Sequence, residues 1–559
     1  MYGHTPEAVF NGEITISVEW QTKLNVKVED CIRISGDYVT AENVTVTTEC
    51  GDVNGFTKDG AYSFRGIPYA MPPVGKRRWQ PPESLRPKTG NCWNGTYPAF
   101  KYGSTCFQIS PYDKKTLIGS EDCLYLNVLT PTLDMNASKP VMVWIHGGSL
   151  QFSSGSWPLY SPTERLAAET DIVYVGFNYR LHAFGFMALQ VLADQSPLNV
   201  SGNYGFMDMI TVLEWVQTNI RNFGGDPNQV TVFGQSSGGT AIFALLASPL
   251  CQGLFHRAWL LSASAILNKT VNDAYRDNEV FLTRTGCGSD VRCLYGLSAA
   301  KVTQAVPWNV FPYWAMEDQG DLPTRNHFDG AIAVVDGVVI PEAPFLAWSK
   351  GNMVDVPLLI GSCANEIDYN PVERTMNTWT WDQYVRHVNA KMGTFGNLTL
   401  ETALRLYPVN RSTPEFQLTS MASDIASNCP NDVLAQYASS TFKSPVYRYV
   451  VTSTPSVPVH AVGIPFPASY SFHMWDIFAF FGLIQDYIKE PTLRDIQWQR
   501  NVQKEVISFV RTGKPTSEWG TYPDVTALLS DVTELAKAYN PAQCEFLMKG
   551  GFFSHAWIN

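Results

Sequence analysis

The run of residues 231–239 (TVFGQSSGG) constrains this chain more than any other segment. β-Branched and aromatic residues lead into a Gly-x-Ser-x-Gly pattern, and an apolar stretch typical of a helix follows. A strand that turns sharply into a helix strains its central residue, and flanking glycines let the backbone pass closely. The pattern therefore predicts a nucleophile elbow with Ser236 at its apex, between Gly234 and Gly238.

A second glycine cluster follows another apolar run, residues 141–149 (VMVWIHGGS), which predicts a buried strand and then a loop. It is similar to the HGGG-type motif whose backbone N–H groups bind the oxyanion of acyl-transfer enzymes. One such donor typically contributes roughly 3 to 4 kcal/mol to transition-state binding. We assign the donors to Gly148, Ser149 and Ser237.

Further motifs occur in order from about Gly51 onward. They are residues 64–70 (FRGIPYA), 120–127 (SEDCLYLN), 178–180 (NYR), 202–205 (GNYG) and 223–227 (FGGDP). With the elbow, they resemble the type-B carboxylesterase family, the carboxylesterase, cholinesterase and lipase branch of the α/β-hydrolases. The resemblance implies an α/β fold with a large, mostly parallel central sheet flanked by helices over residues 51–559. It also implies a buried ion pair between Arg65 and Glu121.

Residues 1–50 lie outside that resemblance. Residues 13–18 (EITISV) and 24–28 (LNVKV) alternate as strands do, so we predict an added β-rich extension. It could cover a sheet edge, contact a partner or lengthen the N-terminal hairpins of the family, and the last of these is the simplest.

The acid of a catalytic triad should follow the serine and precede the histidine on this fold. Residues 356–366 (VPLLIGSCANE) predict a buried strand that ends in a polar loop, and Glu366 matches the triad acid of the family. Asp336 and Asp368 are the rivals. Asp336 matches a family turn (VDG) and Asp368 lies beyond the motif, so we interpret both as structural.

The histidine is predicted from residues 472–482 (FHMWDIFAFFG), which resemble the family's histidine loop and the aromatic helix after it. His473 is therefore the expected base. His460 lacks that context and is interpreted as a loop histidine. Asp476 stands where the family usually has Glu, and this shorter carboxylate could shift the start of the helix.

These residues predict a serine esterase. His473 removes the Ser236 proton as the hydroxyl attacks an ester carbonyl, Glu366 orients the imidazole, and water then hydrolyses the acyl-enzyme. Two alternatives stay open: a non-catalytic binding or adhesion protein on the same fold, and a triad that performs elimination or acyl transfer. Retention of Ser236, Glu366 and His473 weighs against the first.

Composition limits the partners. No metal-spaced His/Cys cluster, phosphate-binding loop or dinucleotide fingerprint is found, so we expect neither a metal nor another cofactor. A net charge of −11 argues against nucleic acid, and the absence of a long apolar run argues against a transmembrane segment. A small ester is the expected partner, and the oligomeric state stays open.

Cysteines and sequons indicate a secreted product. The resemblance implies the pairs Cys106–Cys123, Cys287–Cys293 and Cys429–Cys544, and a bridge from Cys31 to Cys50 is left open; Cys92, Cys251 and Cys363 are unassigned. Because the total of 11 is odd, at least one thiol is free or intermolecular. Asn-x-Ser/Thr sequons, some expected to be glycosylated, stand at Asn43, Asn94, Asn136, Asn199, Asn268, Asn397 and Asn410. No signal peptide precedes these residues and no anchor tail ends the sequence, so we expect a soluble, mature, exported chain.

Departures from the family bear on the substrate. Gln235 and Ser237 replace the usual Glu and Ala beside Ser236, which removes a carboxylate, and the loop from Cys106 to Cys123 has no Trp to bind choline. We therefore expect uncharged esters. Ser149 replaces the third glycine of the oxyanion motif and could narrow the site. Aromatic candidates for the pocket, with ordinary packing as the alternative, are Trp308, Phe311, Tyr313, Trp314 and Tyr369.

Overall fold

Short runs of β-branched and aromatic residues alternate with longer helical segments along this chain, and the runs assemble into one sheet. The structure is a computed structural model that describes residues 43–113, 115–308, 310, 320–325, 332–369, 373, 375–461, 466–516 and 518–557. Outside these residues lie Cys31, Phe311, Tyr313, Trp314 and the two strands predicted between residues 13 and 28. The side chain of Tyr369 is not described either.

The strands differ in length, and the longest ends at the predicted elbow. They are β1 Asn43–Thr48, β2 Gly51–Lys58, β3 Ala61–Pro68, β4 Tyr97–Pro98, β5 Gln108–Ile109, β6 Leu117–Ile118, β7 Tyr125–Thr130, β8 Lys139–Ile145, β9 Val173–Phe177, β10 Gly225–Gln235, β11 Arg257–Leu261, β12 Leu358–Cys363, β13 Val446–Val451, β14 Thr526–Leu529 and β15 Glu534–Ala536.

The main sheet has the order β1-β2-β3-β7-β9-β8-β10-β11-β12-β13-β14-β15, with β4 beside β2. Neighbours from β9 to β14 in this order are parallel, while the pairs at both edges are antiparallel. Parallel strands are buried on both faces, and β9, β12 and β13 are buried along their whole length. The predicted large, mostly parallel sheet is confirmed.

Helices cover both faces of the sheet. They are α1 Glu164–Thr170, α2 His182–Phe186, α3 Gln190–Ala193, α4 Tyr204–Asn219, α5 Ser237–Leu246, α6 Val271–Thr285, α7 Val291–Tyr295, α8 Ala299–Ala305, α9 Pro344–Ser349, α10 Trp381–Met392, α11 Asn397–Leu406, α12 Pro414–Ser423, α13 Cys429–Thr441, α14 Trp475–Phe480, α15 Ile484–Tyr487, α16 Leu493–Thr512 and α17 Pro541–Lys549.

Two hydrophobic layers sandwich the sheet because successive side chains of a strand point to opposite faces. Val143 of β8 and Val232 of β10 belong to the layer that includes α4 and α5. Their neighbours Trp144 and Phe233 belong to the opposite layer with α14 and α16. There the Trp144 and Phe233 rings lie 5.0 Å apart, and Phe481 meets Trp144 edge-on at 5.2 Å. This packing fixes the carboxyl ends of β8 and β10 side by side.

Disulfides join Cys106 to Cys123, Cys287 to Cys293 and Cys429 to Cys544, the pairs that the resemblance implies. The pairing of Cys31 with Cys50, which the sequence left open, is contradicted, because Cys50 is bonded to Cys92. Cys50 lies in the turn between β1 and β2. The indole N–H of Trp93, next to Cys92, donates a hydrogen bond to the Asp52 carbonyl of that hairpin. Cys251 and Cys363 are buried thiols.

The ion pair predicted between Arg65 and Glu121 is also wrong. Arg65 binds Glu164 at 2.5 Å, and Glu121 binds Arg78 at 2.5 Å. The register of β3 shifts between Phe64 and Ile67, in the part of the strand that contains Arg65. There the Arg65 guanidinium contacts Glu164 in the first turn of α1, and Glu121 pairs with Arg78 instead.

The described residues from Asn43 onward form one compact unit. Strands β1 and β2 pair as a hairpin on either side of the predicted boundary at residue 50. The division at that residue and the β-rich extension before it stay predictions. Within the part of the chain that the structure covers, no helix is long and apolar enough to cross a membrane.

Candidate active site

The predicted elbow is present at the end of β10. Ser236 joins β10 to α5 with φ 60° and ψ −128°, a conformation that non-glycine residues rarely adopt. Gly238 is required here, because a Cβ at this position would lie 2.0 Å from the Ile145 carbonyl oxygen. The Ser236 N–H donates to the Leu261 carbonyl at 2.8 Å and anchors the turn to β11. Strain of this kind persists only where the surroundings enforce it, and it is concentrated at functional sites.

His473 and Glu366 form a buried pair beside the elbow. Nδ1 of His473 lies 2.5 Å from Oε2 of Glu366, and the two side chains are 5% and 0% exposed. Since an ionised carboxylate can only accept, the proton of the neutral imidazole is on Nδ1, and Nε2 keeps its lone pair. That tautomer is the one that a general base requires.

The second oxygen of Glu366 is held from two sides. Oε1 accepts from the Cys363 N–H at 2.8 Å and from the Ser427 hydroxyl at 3.2 Å. Ser427 lies in a π-helical turn, Asp424–Asn428, between α12 and α13. Such turns occur often at functional sites, and no motif in the sequence indicates that Ser427 contacts Glu366.

A buried guanidinium lies under the same turn. Arg448 of β13 is 1% exposed and donates to Ser362 at 2.8 Å and to the Asn428 carbonyl at 3.3 Å. Burial lowers the pKa of Arg448, and the charges of Asp432 and Glu366 oppose that shift. Opposite charges attract, so Arg448 and Glu366 interact favourably in this part of the site.

Gln235 contacts the other ring nitrogen of the histidine. Its amide nitrogen lies 2.8 Å from Nε2 of His473, and because Nδ1 carries the proton, the amide donates. The Gln235 carbonyl oxygen accepts from the Tyr160 hydroxyl at 2.5 Å. Tyr160 accepts in turn from the Gly147 N–H at 3.3 Å. The residue that replaces the family's glutamate thus links the oxyanion loop to His473.

The predicted oxyanion donors lie near the elbow. Gly148 has φ 105° and Ser149 has φ 53°, so the loop is left-handed here, and both residues line the same cavity as Ser236. Ser237 is fully buried at the start of α5, and its hydroxyl accepts from the Leu150 N–H at 3.1 Å. This bond ties the loop to the helix that follows the nucleophile. The roles of Gly148, Ser149 and Ser237 as donors stay predictions.

A cavity of about 110 Å³ opens above Ser236. Five of its 13 described lining residues are Phe, Trp or Tyr, and none is Asp, Glu, Lys or Arg. The lining residues are Pro111, Gly148, Ser149, Phe152, Ser153, Trp157, Tyr160, Gln235, Ser236, His473, Met474, Phe478 and Tyr487. Pockets for small molecules typically combine an apolar wall with a few placed polar groups.

Of the sequence-predicted pocket residues, Trp308 alone has a described side chain; it is 52% exposed and is not among the lining residues. The pocket roles of Phe311, Tyr313, Trp314 and Tyr369 stay predictions. The structure instead supplies Phe152 and Trp157, a few residues beyond the oxyanion motif, and Phe478, a few beyond His473. Their nearness in sequence to the catalytic motifs was the signal that could have found them.

Asp336, His460 and Asp476 lie at three different places in the fold, and their interpretation as structural residues stays a prediction. Asp336 accepts from the Val338 and Ile340 N–H groups at 2.9 Å and closes a turn. His460 is exposed on a loop. Asp476 is buried in α14 and accepts from the Tyr449 hydroxyl at 2.7 Å. Burial, with a smaller contribution from the Glu366 carboxylate, raises the pKa of Asp476 to about 6.

Comparison with known proteins places this geometry in a family. The fold and the elbow define an α/β-hydrolase, and the sequence profile of the Carboxylesterase family matches residues 42–547. The chain therefore belongs to the Carboxylesterase family. Among curated relatives, neurotactin of Drosophila melanogaster is 35% identical over 397 residues, which cover 69% of this chain and 45% of that protein.

Esterases match over more of their own length. Para-nitrobenzyl esterase of Bacillus subtilis (strain 168) is 32% identical over 500 residues, covering 86% of this chain and 93% of that protein. A solved structure of a PNB esterase superposes with a TM-score of 0.71 at 30% identity and covers 90% of this chain and 99% of its own. These relatives support a carboxylic ester hydrolase. Within the described residues no group of three or more His, Cys, Asp or Glu could hold a metal ion.

Proposed function

We propose that this protein is a serine esterase that hydrolyses uncharged carboxylic esters through an acyl-enzyme on Ser236. The single observation that carries the proposal is the hydrogen bond between His473 and Glu366 beside a strained Ser236, at the mouth of one aromatic cavity. Nucleophile, base and orienting acid are recognised by their mutual geometry and not by their position in sequence.

The mechanism follows from the proton positions. Nε2 of His473 takes the Ser236 proton as the hydroxyl attacks the ester carbonyl, and the ionised Glu366 stabilises the imidazolium that forms. Backbone N–H groups of Gly148, Ser149 and Ser237 bind the oxyanion. Collapse expels the alcohol with the proton from Nε2. Water, deprotonated by the same nitrogen, then releases the acid.

A neutral substrate is supported by the lining of the cavity. A cation would gain no ion pair from the described lining, since Gln235 stands where a carboxylate would attract it. An aromatic wall favours burial of an apolar acyl or alcohol group at about 25 cal/mol for each Å² of apolar surface. We therefore propose small, uncharged esters as the substrate class.

We also propose an oxidising, extracellular or secretory location. Four disulfides within the described residues support it, since such bonds persist outside the reducing cytosol. Every sequon asparagine is exposed and open to a glycan: Asn43, Asn94, Asn136, Asn199, Asn268, Asn397 and Asn410.

The proposal is tested with a panel of chromogenic esters of increasing acyl length and with a fluorophosphonate. We expect turnover of short uncharged esters to an acid plus an alcohol, and one phosphonyl adduct, located by mass spectrometry on Ser236. An alkene or a new ester as product would replace hydrolysis by elimination or acyl transfer. Absence of both turnover and adduct would favour a non-catalytic protein.

Gln235→Glu should shift selectivity toward cations. The new carboxylate attracts a choline ester but not its uncharged 3,3-dimethylbutyl isostere, so the ratio of kcat/KM for the two should rise about 10-fold. Because the ratio compares two substrates on one variant, any general loss from disturbing His473 cancels. Gln235→Leu is the matched control and should leave the ratio unchanged; an equal ratio in all three chains would refute the neutral-site argument.

A further inference from the structure

Asp368 lies two residues after Glu366, in the 3₁₀ turn Glu366–Tyr369, here called the acid turn. It is buried, with 2% of its surface exposed. One oxygen, Oδ2, accepts from the Ser469 N–H at 2.6 Å and from the Tyr470 N–H at 2.7 Å. Residues 466–473, here called the histidine segment, lead directly into His473. We propose that Asp368 is a positioning residue that fixes the histidine segment against the acid turn, so that His473 meets Glu366 in productive geometry.

Two backbone hydrogen bonds join the same parts of the chain. The Asn365 N–H donates to the Ser471 carbonyl at 2.9 Å, and the His473 N–H donates to the Glu366 carbonyl at 3.4 Å. A carboxylate that accepts from two N–H groups forms charge-assisted bonds roughly twice as strong as neutral ones. Loss of the Asp368 carboxylate therefore removes two charge-assisted hydrogen bonds that hold the histidine segment to the acid turn.

The charge of Asp368 is finely balanced. Burial raises the pKa of Asp368 from its ordinary 3.8 to about 7, the two N–H donors oppose this shift, and the Glu415 carboxylate adds to it. Glu415, in the first turn of α12, is the charged group facing it from that helix, and burial raises its pKa as well. Tyr470 faces it from the histidine segment, with its hydroxyl 2.9 Å from Thr413 Oγ1. Glu366 in the acid turn and His473 at the end of the histidine segment are further titratable groups on these elements.

The sign of the pH effect separates activity from stability. Between pH 3.8 and about 7 the folded chain holds a proton on Asp368 that the unfolded chain releases, so stability falls as pH rises through this window. The two hydrogen bonds that Asp368 accepts from Ser469 and Tyr470 have the opposite pH dependence. They are charge-assisted only when the carboxylate is ionised, above about pH 7. A neutral residue of the same shape at position 368 should therefore weaken these hydrogen bonds at high pH without lowering the free energy of unfolding there.

This inference rests on the proposed function for its effect on turnover, and amide exchange tests it independently. Asp368→Asn keeps the shape and one oxygen acceptor, whereas Asp368→Ala removes the acceptor. We expect kcat of the Ala variant to fall about 10-fold at every pH with KM nearly unchanged, because misplacement of a base acts on the chemical step. We expect kcat of the Asn variant to fall about 3-fold at about pH 8.5 and to equal that of the wild type at about pH 5.5.

Hydrogen–deuterium exchange of peptides covering residues 466–473 should be faster in both variants at about pH 8.5, while thermal unfolding of the Asn variant occurs no lower than in the wild type. Asp355→Asn is the matched control, since Asp355 also accepts from two adjacent N–H groups, those of Lys443 and Ser444, far from the triad. It should change neither kcat nor exchange of the histidine segment.

Unchanged exchange in the Ala variant would overturn the proposal, and so would faster exchange with unchanged kcat. A pH-independent loss in the Asn variant, matched by a loss of stability, would also overturn it in favour of a general folding role. A wild-type chain that turns over no ester would refute the proposed function, and the exchange measurement alone would then decide whether Asp368 fixes the histidine segment.

Discussion

Ser236→Ala should abolish ester turnover while leaving the protein folded. The alanine removes only the hydroxyl, at a position that is 9% exposed and already held in the elbow by the Ser236 N–H bond to Leu261. Without a nucleophile no acyl-enzyme forms, so kcat should fall by roughly four to six orders of magnitude, to the level that the oxyanion hole and binding alone supply. The measurement is hydrolysis of the best ester of the panel, with thermal unfolding recorded on the same samples.

A serine elsewhere provides the control for that experiment. Ser439 is partly exposed on α13, and its hydroxyl donates to the Gln436 carbonyl of the same helix. Ser439→Ala should therefore retain full turnover and its fluorophosphonate adduct, while Ser236→Ala loses both. Equal turnover by the two variants would assign the observed hydrolysis to another residue or to a contaminant.

Glu366→Gln should lower kcat by roughly 10⁴-fold, the effect expected when a base loses its orienting carboxylate and takes the wrong tautomer. The amide of glutamine is nearly the same size as the carboxylate, but its N–H would donate to Nδ1 of His473 and place the ring proton on Nε2. A protonated Nε2 cannot accept the Ser236 proton. Turnover and the rate of fluorophosphonate labelling should therefore fall together.

Glu366→Asp separates charge from shape in the same experiment. This variant keeps the negative charge but withdraws it from His473, so roughly a 10² loss is expected, as for a catalytic group displaced by about 1 Å. A Gln variant more active than the Asp variant would contradict the tautomer argument. Because Glu366 also accepts from Cys363 and Ser427, thermal unfolding should accompany the kinetics.

The elbow and the order of the proposed triad could be predicted from the sequence because their constraints are local. A glycine is required at position 238 by a backbone approach, and a serine at the end of a strand needs only its immediate neighbours to be recognised. His473 and Glu366 could be predicted from motifs that also lie within short segments of the sequence. The structure brings these two residues into contact.

The supporting residues could not be predicted in the same way, because their partners are distant in sequence. Ser427 reaches Glu366 through a π-helical turn that no periodicity announces. The sequence shows the replacement at Gln235, yet only the fold reveals that its amide faces the imidazole. The partners of Cys50 and Arg65 were misassigned for the same reason, since several cysteines and acids of similar context compete along the chain.

The π-helical turn that contacts Glu366 is held in place by residues that come much later in the chain. Cys429, the residue after the turn, is bonded to Cys544, and the Trp557 N–H donates to the Ala426 carbonyl at 2.8 Å. The Trp557 ring also meets the His473 ring edge-on at 4.9 Å. During synthesis, therefore, the serine can emerge and its strand can fold long before the acid and base have their final support. For the proposed enzyme, hydrolytic competence would then depend on the last segments of the chain as well as on the serine.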